Sequence, residues 1–211
     1  MKKIITISRQ YGSGGREVGE KLAKKLQIPF YDNEIIDRAT KASGFSHAAF
    51  ENPEKKATNS LLYSIAMGMN SYGTYDMGFT QLSLDDRIYL AQADVIRKMA
   101  AEGSCIIVGR CADYILKDEK DIVNIFLWAS LDYRVKRAIA LENIEVEKAK
   151  ETVLKNDKRR ANYYSYHATS NWGKADNYHM SLGMDKITIE DAVDCIAEYV
   201  TRSQKKKLNK I

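Results

Sequence analysis

Hydrophobic positions follow two different periods along this chain, and the switches between them outline its elements. Ile4 to Ile7 is a short β-branched run of the kind that forms a buried strand. Glycines then break the pattern. From Arg16 the spacing changes: Val18, Leu22 and Leu26 recur at i, i+4 and i+8 with lysines between them, which predicts an amphipathic helix. Pro29 ends that helix, and Phe30–Tyr31 can form a second short strand. The chain therefore opens as strand, glycine-rich turn, helix and strand, a βαβ unit.

Residues 33–42 read as a helix with Ile35, Ile36 and Ala39 on one face. Residues 43–80 mix Gly44, Pro53, Gly68, Gly73 and Gly78 with many Ser, Asn and Tyr, and read as helical pieces joined by loops. Ser83 followed by Asp86 resembles a capping box with Asp in place of Glu. Leu84, Ile88, Ala91, Val95 and Met99 then mark a long helix that Gly103 stops. Cys105 to Val108 predicts a buried strand running into Gly109-Arg110, and Ile122 to Trp128 another running into Ala129-Ser130. Ser130 is placed to cap a helix through Ala140, and a highly charged helix covers 145–163. A polar, aromatic loop leads to a last strand at His179 to Leu182. Thr188 with Asp191 starts a final helix whose apolar face carries Ala192, Val193, Ile196, Tyr199 and Val200. No internal repeat is evident. Strands alternating with helices predict an α/β fold, a mainly parallel sheet with helices on both faces.

Composition narrows this picture only slightly. The 211 residues, 45% hydrophobic, suit one domain with insertions. No apolar run approaches the roughly 20 residues that span a bilayer. The apolar stretch after Lys2-Lys3 is too short for a secretory signal, and a glycine-rich loop stands where a cleavage site would be, so a cytoplasmic chain is expected. Cys105, Cys111 and Cys195 are odd in number and form no C-x-x-C pair; His47, His167 and His179 show no ligand spacing. A disulfide framework or a protein-held zinc is therefore not expected. The net charge of +5 is mild. Its distribution is more informative: Arg134, Lys136 and Arg137 precede a cluster of Lys155, Lys158, Arg159 and Arg160, and Lys205 to Lys207 read as a solvated tail over 205–211.

The candidate chemistry lies in the first turn. A strand that ends in glycines and enters a helix is a ready anion site, because glycine allows positive φ and the helix start offers N–H donors and about half a positive charge. Nucleotide phosphates are accordingly expected on Gly12, Ser13, Gly14, Gly15, Arg16 and Glu17. The alternative is a turn whose glycines serve backbone geometry alone. The loop does not satisfy the phosphate-loop pattern G-x-x-x-x-G-K-[ST]. With Gly14 on the second glycine, Arg9 falls on the first, Gly15 on the lysine and Arg16 on the Ser/Thr. Arg16 is the expected replacement cation. Its guanidinium can clamp phosphate oxygens, although it cannot copy a hydroxyl that ligates Mg²⁺. Arg110, at the carboxyl end of a buried strand, stands where α/β sheets bind ligands.

Ile5-Thr6-Ile7-Ser8, the glycine loop and Tyr31-Asp32-Asn33-Glu34-Ile35-Ile36-Asp37-Arg38 resemble the start of a cytidylate kinase. They resemble more closely the cytidylate kinase-like family, whose loop carries S-G-G-R in place of the lysine. The resemblance continues through Ile107 to Arg110, Ile125 to Ser130 with Arg134 and Arg137, Asp157 to Tyr164 and Trp172 to Tyr178, and so covers nearly the whole chain. It implies a three-layer P-loop NTPase fold over 1–204, with an NMP-binding insertion near 33–82 and a lid near 142–176. It implies ATP and Mg²⁺, and transfer of the γ-phosphoryl group to a nucleoside monophosphate or similar small acceptor. Arg38 and Arg110 would hold the acceptor, with Asp32 beside it. Arg134, Lys158, Arg159 and Arg160 would approach the ATP phosphates, and Asp157 would bind sugar hydroxyls or orient an arginine. A solvated helix face is the plain alternative for each lid cation. Val108 stands where cytidylate kinases carry an acidic residue, and Arg160 and Tyr163 break their lid spacing, so cytosine specificity does not carry over.

Two other readings compete. A nucleotide-binding regulatory module without kinase activity would account for the missing lysine and Ser/Thr. A nucleic-acid-binding protein would draw on the basic cluster and tail alone, without a recognition motif, and ranks last.

Overall fold

The computed structural model describes residues 2–46 and 82–208. Five strands, β1 (Ile4–Arg9), β2 (Phe30–Tyr31), β3 (Cys105–Val108), β4 (Ile122–Trp128) and β5 (Met180–Gly183), form one parallel sheet in the order β2-β3-β1-β4-β5. β1 is central, paired to β3 from Ile4–Cys105 to Ile7–Val108 and to β4 from Ile4–Ile122 to Arg9–Leu127. Burial on both faces explains its unbroken β-branched sequence.

Alternate residues of the sheet enter two cores. Ile5, Ile7, Ile106, Val108, Ile125 and Leu127 pack against Val18 and Leu22 of α1 (Gly15–Leu26) and Ile189, Val193 and Ile196 of α7 (Ile189–Leu208). Ile4, Cys105 and Ile107 face the other way, onto α2 (Glu34–Ser43), α3 (Leu84–Glu102), the short α4 (Ala112–Ile115) and the end of α6 (Val146–His167). α5 (Leu131–Glu142) leaves the carboxyl end of β4. The sheet with helices on both faces is the predicted three-layer α/β arrangement.

Most predicted boundaries lie within a few residues of the observed ones. Thr188 and Asp191 form a reciprocal box: Asp191 N donates to Thr188 Oγ1 at 3.0 Å, and Thr188 N donates to Asp191 Oδ2 at 3.1 Å. Ser83 caps α3 through Asp86 N, but its hydroxyl, not its backbone N–H, donates to the Asp86 carboxylate. Ser130 occupies its N-cap position without a side-chain bond. α4 was not legible as a helix. α7 runs to Leu208, so Lys205 to Lys207 continue a helix and do not begin a separate tail. The loop and helix pieces expected over 43–80, and most of the 33–82 insertion, lie outside the described residues. No described helix is long and apolar enough to cross a membrane.

The end of α6 is joined to α3 by a half-buried ring stack. His167 lies 3.8 Å from Tyr89, centroid to centroid and nearly parallel, with Tyr163 edge-on at 4.7 Å. Burial disfavours the imidazolium and pushes His167 down from 6.5 to about 4, against a weaker upward pull from Asp86. In the unfolded chain His167 protonates near its ordinary value, whereas the folded chain resists until about pH 4. Its contribution is therefore intact above pH 6.5 and is lost as pH falls between those values. His167→Phe keeps the stack and removes the titration. Solvent screening of the partly exposed ring reduces the effect, so the stability of the parent relative to this variant should fall by roughly 1–2 kcal/mol from pH 7 to pH 4 in urea unfolding; a difference independent of pH would contradict the burial argument.

Candidate active site

The carboxyl ends of β1, β2, β3 and β4 open on one edge, where chain connections from β1 and β3 diverge to opposite sides of the sheet. That is where open parallel sheets bind ligands. A cleft of about 500 Å³ lies there, lined by the glycine loop, Asp32, Arg110, the inner face of α5 and Arg160 of α6.

The glycine loop is fixed by close packing on three sides. Gly12 (φ 78°) and Gly14 (φ 89°) adopt left-handed backbone. A Cβ on Gly12 would stand 2.6 Å from the Arg134 carbonyl oxygen, and one on Gly14 would stand 2.8 Å from Ile189 Cδ1. Ser13 is fully buried and donates through Oγ to the Gln10 carbonyl at 2.8 Å, so its hydroxyl closes the loop internally. Gly14 is the N-cap of α1 and offers no capping side chain. The N–H groups of the first helical turn have no acceptor within the helix, which leaves them directed at the cleft.

Arg134 and Asp157 form a buried pair beneath the loop. The Arg134 guanidinium pairs with Asp157, donates through Nε to the Ala129 carbonyl at 3.0 Å and through Nη1 to the Tyr11 carbonyl at 3.3 Å. The Asp157 carboxylate accepts the Tyr11 N–H at 2.7 Å. Both groups hold the loop's backbone from behind, and neither lines the cleft. Arg160 Nη1 donates to the Arg9 carbonyl at 3.1 Å, and its guanidinium lies over the Tyr11 ring. α6 therefore grips the loop at Arg9 and Tyr11. Burial raises the Tyr11 phenol above its ordinary value, helped by the hydrogen bond it gives Glu142.

The other expected residues are placed as follows. Arg16 lies on the lip of the cleft, with Nε 3.0 Å from Glu20 and 3.7 Å from Asp32. The Glu20 hydrogen bond is the main cause that raises its value. Glu17 lines the cleft and is held by Arg137 and Lys21; these hydrogen bonds outweigh its desolvation and keep its carboxyl below the usual range. Asp32, mostly buried, follows β2 and reaches the same space. Arg38 is on the outer side of α2, in ion pairs with Glu34 and Glu102, and does not line the cleft. Arg159, one residue from Arg160, does not line it either.

Arg110 stands at the end of β3 in a turn with three successive left-handed residues: Gly109 at φ 74°, Arg110 at 58° and Cys111 at 54°. Ala112 N donates to the Gly109 carbonyl at 3.1 Å and closes the turn. Left-handed backbone at two non-glycine residues costs on the order of 1 kcal/mol each, and such strain clusters at ligand sites. The turn brings Arg110 to the cleft and to an adjoining recess lined by Ser8, Arg9, Cys111, Arg160, Tyr163, Tyr164 and Trp172. Tyr164 donates to Asp113 Oδ2 at 3.0 Å and so fixes the recess wall to α4. Trp172 and Tyr178 pack on Phe126, which holds the loop after α6 over the sheet.

Arg9 and Arg137 also line the cleft and were not among the expected phosphate contacts. Among the described residues, no group of three or more His, Cys, Asp or Glu side chains is placed to cage a metal ion. A magnesium ion arriving on a nucleotide needs less, one or two carboxylates with phosphate and water oxygens, and Asp32 meets that requirement.

A sequence model of the cytidylate kinase-like family matches residues 4–186. Among solved structures, an uncharacterized protein from Eubacterium ventriosum ATCC 27560 superimposes with a TM-score of 0.69 at 26% identity, over 95% of this chain and 99% of its own. A gluconokinase from Sinorhizobium meliloti 1021 superimposes at 0.55 and 12% identity, over 99% and 97% of the two chains. A shikimate kinase from Bacteroides thetaiotaomicron does so at 0.53 and 13%, over 95% and 99%. These likenesses are of fold, a P-loop kinase architecture. No curated protein sequence matches the chain.

The Arg134–Asp157 pair makes the loop sensitive to a change that touches no ligand. Asp157→Leu strands a buried guanidinium and the Tyr11 N–H, and should cost about 3–5 kcal/mol in urea unfolding. Arg134→Met with Asp157→Leu should recover much of that loss. A single substitution as mild as an exposed one would contradict the placement.

Proposed function

The chain belongs to the cytidylate kinase-like family, and from that premise we propose that it is an ATP-dependent phosphotransferase acting on a nucleoside monophosphate or a similar small phosphate-bearing acceptor. The observation that carries this reading is the convergence of the glycine loop, Arg110 and Arg160 on one cleft. The loop receives the ATP phosphates on the first-turn N–H groups of α1, with Arg16 at the lip. Arg110 and Arg160 face the acceptor side of the same cleft. Residues 33–82 serve as the acceptor-binding insertion and 142–176 as the lid, whose grip on Tyr11 and Arg9 couples it to the loop.

An acceptor phosphate oxygen bonds to the γ-phosphorus as the bond to the β–γ bridging oxygen breaks, and ADP leaves with that electron pair. A phosphate acceptor is already an anion, so it needs no histidine base to activate it. Mg²⁺ bound with ATP would neutralise charge on the β- and γ-phosphates, with Asp32 holding it directly or through water. The chain's own part is to align the two phosphates, exclude water and surround the moving charge with fixed cations.

ATP consumption screened against nucleoside monophosphates and small phosphate-bearing metabolites should find a turned-over acceptor. Arg110→Met should then lower kcat/KM by on the order of 10²-fold or more while ATP binding persists. ATP binding without turnover on any acceptor would support the regulatory module instead.

A further inference from the structure

The loop lacks a lysine where the phosphate-loop pattern requires one, and it also carries an arginine where that pattern begins with glycine. The structure joins these two departures. A Cβ built on Gly15 would lie 2.6 Å from Arg9 Cγ and 2.7 Å from Arg9 Cβ. The Arg9 side chain thus crosses the face of Gly15, and any side chain there would collide with it. The backbone at Gly15 is not left-handed, so the arginine stem is what holds this position to glycine.

The far end of Arg9 is cradled in the same way. A Cβ on Gly109 would stand 2.1 Å from Arg9 Nη1. One glycine admits the stem and a second admits the guanidinium. Between them the side chain runs from the loop to the strained turn that carries Arg110. Arg9 lines both the main cleft and the aromatic recess beside it. Arg9 shares that recess with Arg110 and Arg160. Guanidinium groups gathered on one wall favour an anion beside them.

We propose that Arg9 takes the place of the missing lysine: it enters the phosphate site from the first position of the loop and contacts the γ-phosphoryl group of ATP. The position follows from the geometry. The first-turn N–H groups of α1 meet the phosphates nearer the sugar, and the Arg9 guanidinium extends beyond them toward Arg110, the side the acceptor occupies. Arg16 stays at the lip with Glu20 and Asp32. The inference rests on the phosphotransferase reading, because it presumes a nucleoside triphosphate in the loop.

The test is calorimetric binding of ATP, ADP and AMP, each with Mg²⁺, to the full chain and four variants, with folding followed by circular dichroism. Arg9→Met keeps the stem on Gly15 and removes the charge. It should weaken ATP about tenfold or more and ADP distinctly less, because a charge-assisted contact to the last phosphate is lost. Arg9→Lys should recover part of the loss. Gly15→Lys should bind ATP poorly, since the new side chain meets the Arg9 stem. Arg9→Gly combined with Gly15→Lys moves the cation back to the usual place and should bind ATP more tightly than either Arg9→Met or Gly15→Lys. Equal losses for ATP and ADP in Arg9→Met, or a combined variant no better than Gly15→Lys, would overturn the proposal and leave the phosphotransferase reading standing. A parent chain that binds no nucleotide would overturn both.

Discussion

The organising constraint of this structure is the space around the glycine loop. Three groups, the Arg134 backbone carbonyl, the Ile189 side chain and the Arg9 stem, approach Gly12, Gly14 and Gly15 so closely that no Cβ fits at any of the three without a shift. Each contact comes from a different part of the chain: α5, α7 and the end of β1. The loop can exist in this shape only when the sheet and its flanking helices are assembled. The fold in turn gains a rigid array of N–H donors at the helix start, held open for an anion. The packing that supports the site and the packing that supports the fold are therefore the same contacts.

Charge is arranged in two tiers around that loop. Arg134 and Asp157 are spent on structure: the pair is buried, satisfied by the Tyr11 and Ala129 backbone, and removed from the cleft. Arg9, Arg110 and Arg160 line the space where an anion fits. Arg160 serves both tiers, since it bonds the Arg9 carbonyl while facing the cleft. The acidic members of the cleft, Glu17, Glu20, Asp32 and Glu142, contact Arg137, Arg16 and Tyr11.

The order of elements was legible in the sequence because periodicity and glycine placement dictate it. The continuous burial of β1, the apolar stripe of α1 and the stop at Gly103 follow directly from residue pattern. α4 was missed because four residues give no period to read. The placement of Arg110 was legible from its position after a buried strand. The burial of Arg134 was not, since a basic cluster reads equally as a phosphate clamp, a solvated face or a structural anchor until its partners are known. Arg9 shows the same limit from the other side. Alignment alone put it on a glycine position and put Gly15 on the lysine position. Only the contact between the two shows that one departure accounts for the other.

The placement of Arg9 predicts where the terminal phosphate of a bound nucleotide sits. A crystal structure of the chain with Mg²⁺ and a non-hydrolysable ATP analogue measures this most directly. The prediction is a γ-phosphate within hydrogen-bond distance of the Arg9 guanidinium, with the preceding phosphates on the backbone N–H groups from Gly14 to Glu17. Phosphates bound elsewhere, or bound in the loop with Arg9 turned away and Arg16 on the γ-phosphate, would contradict it.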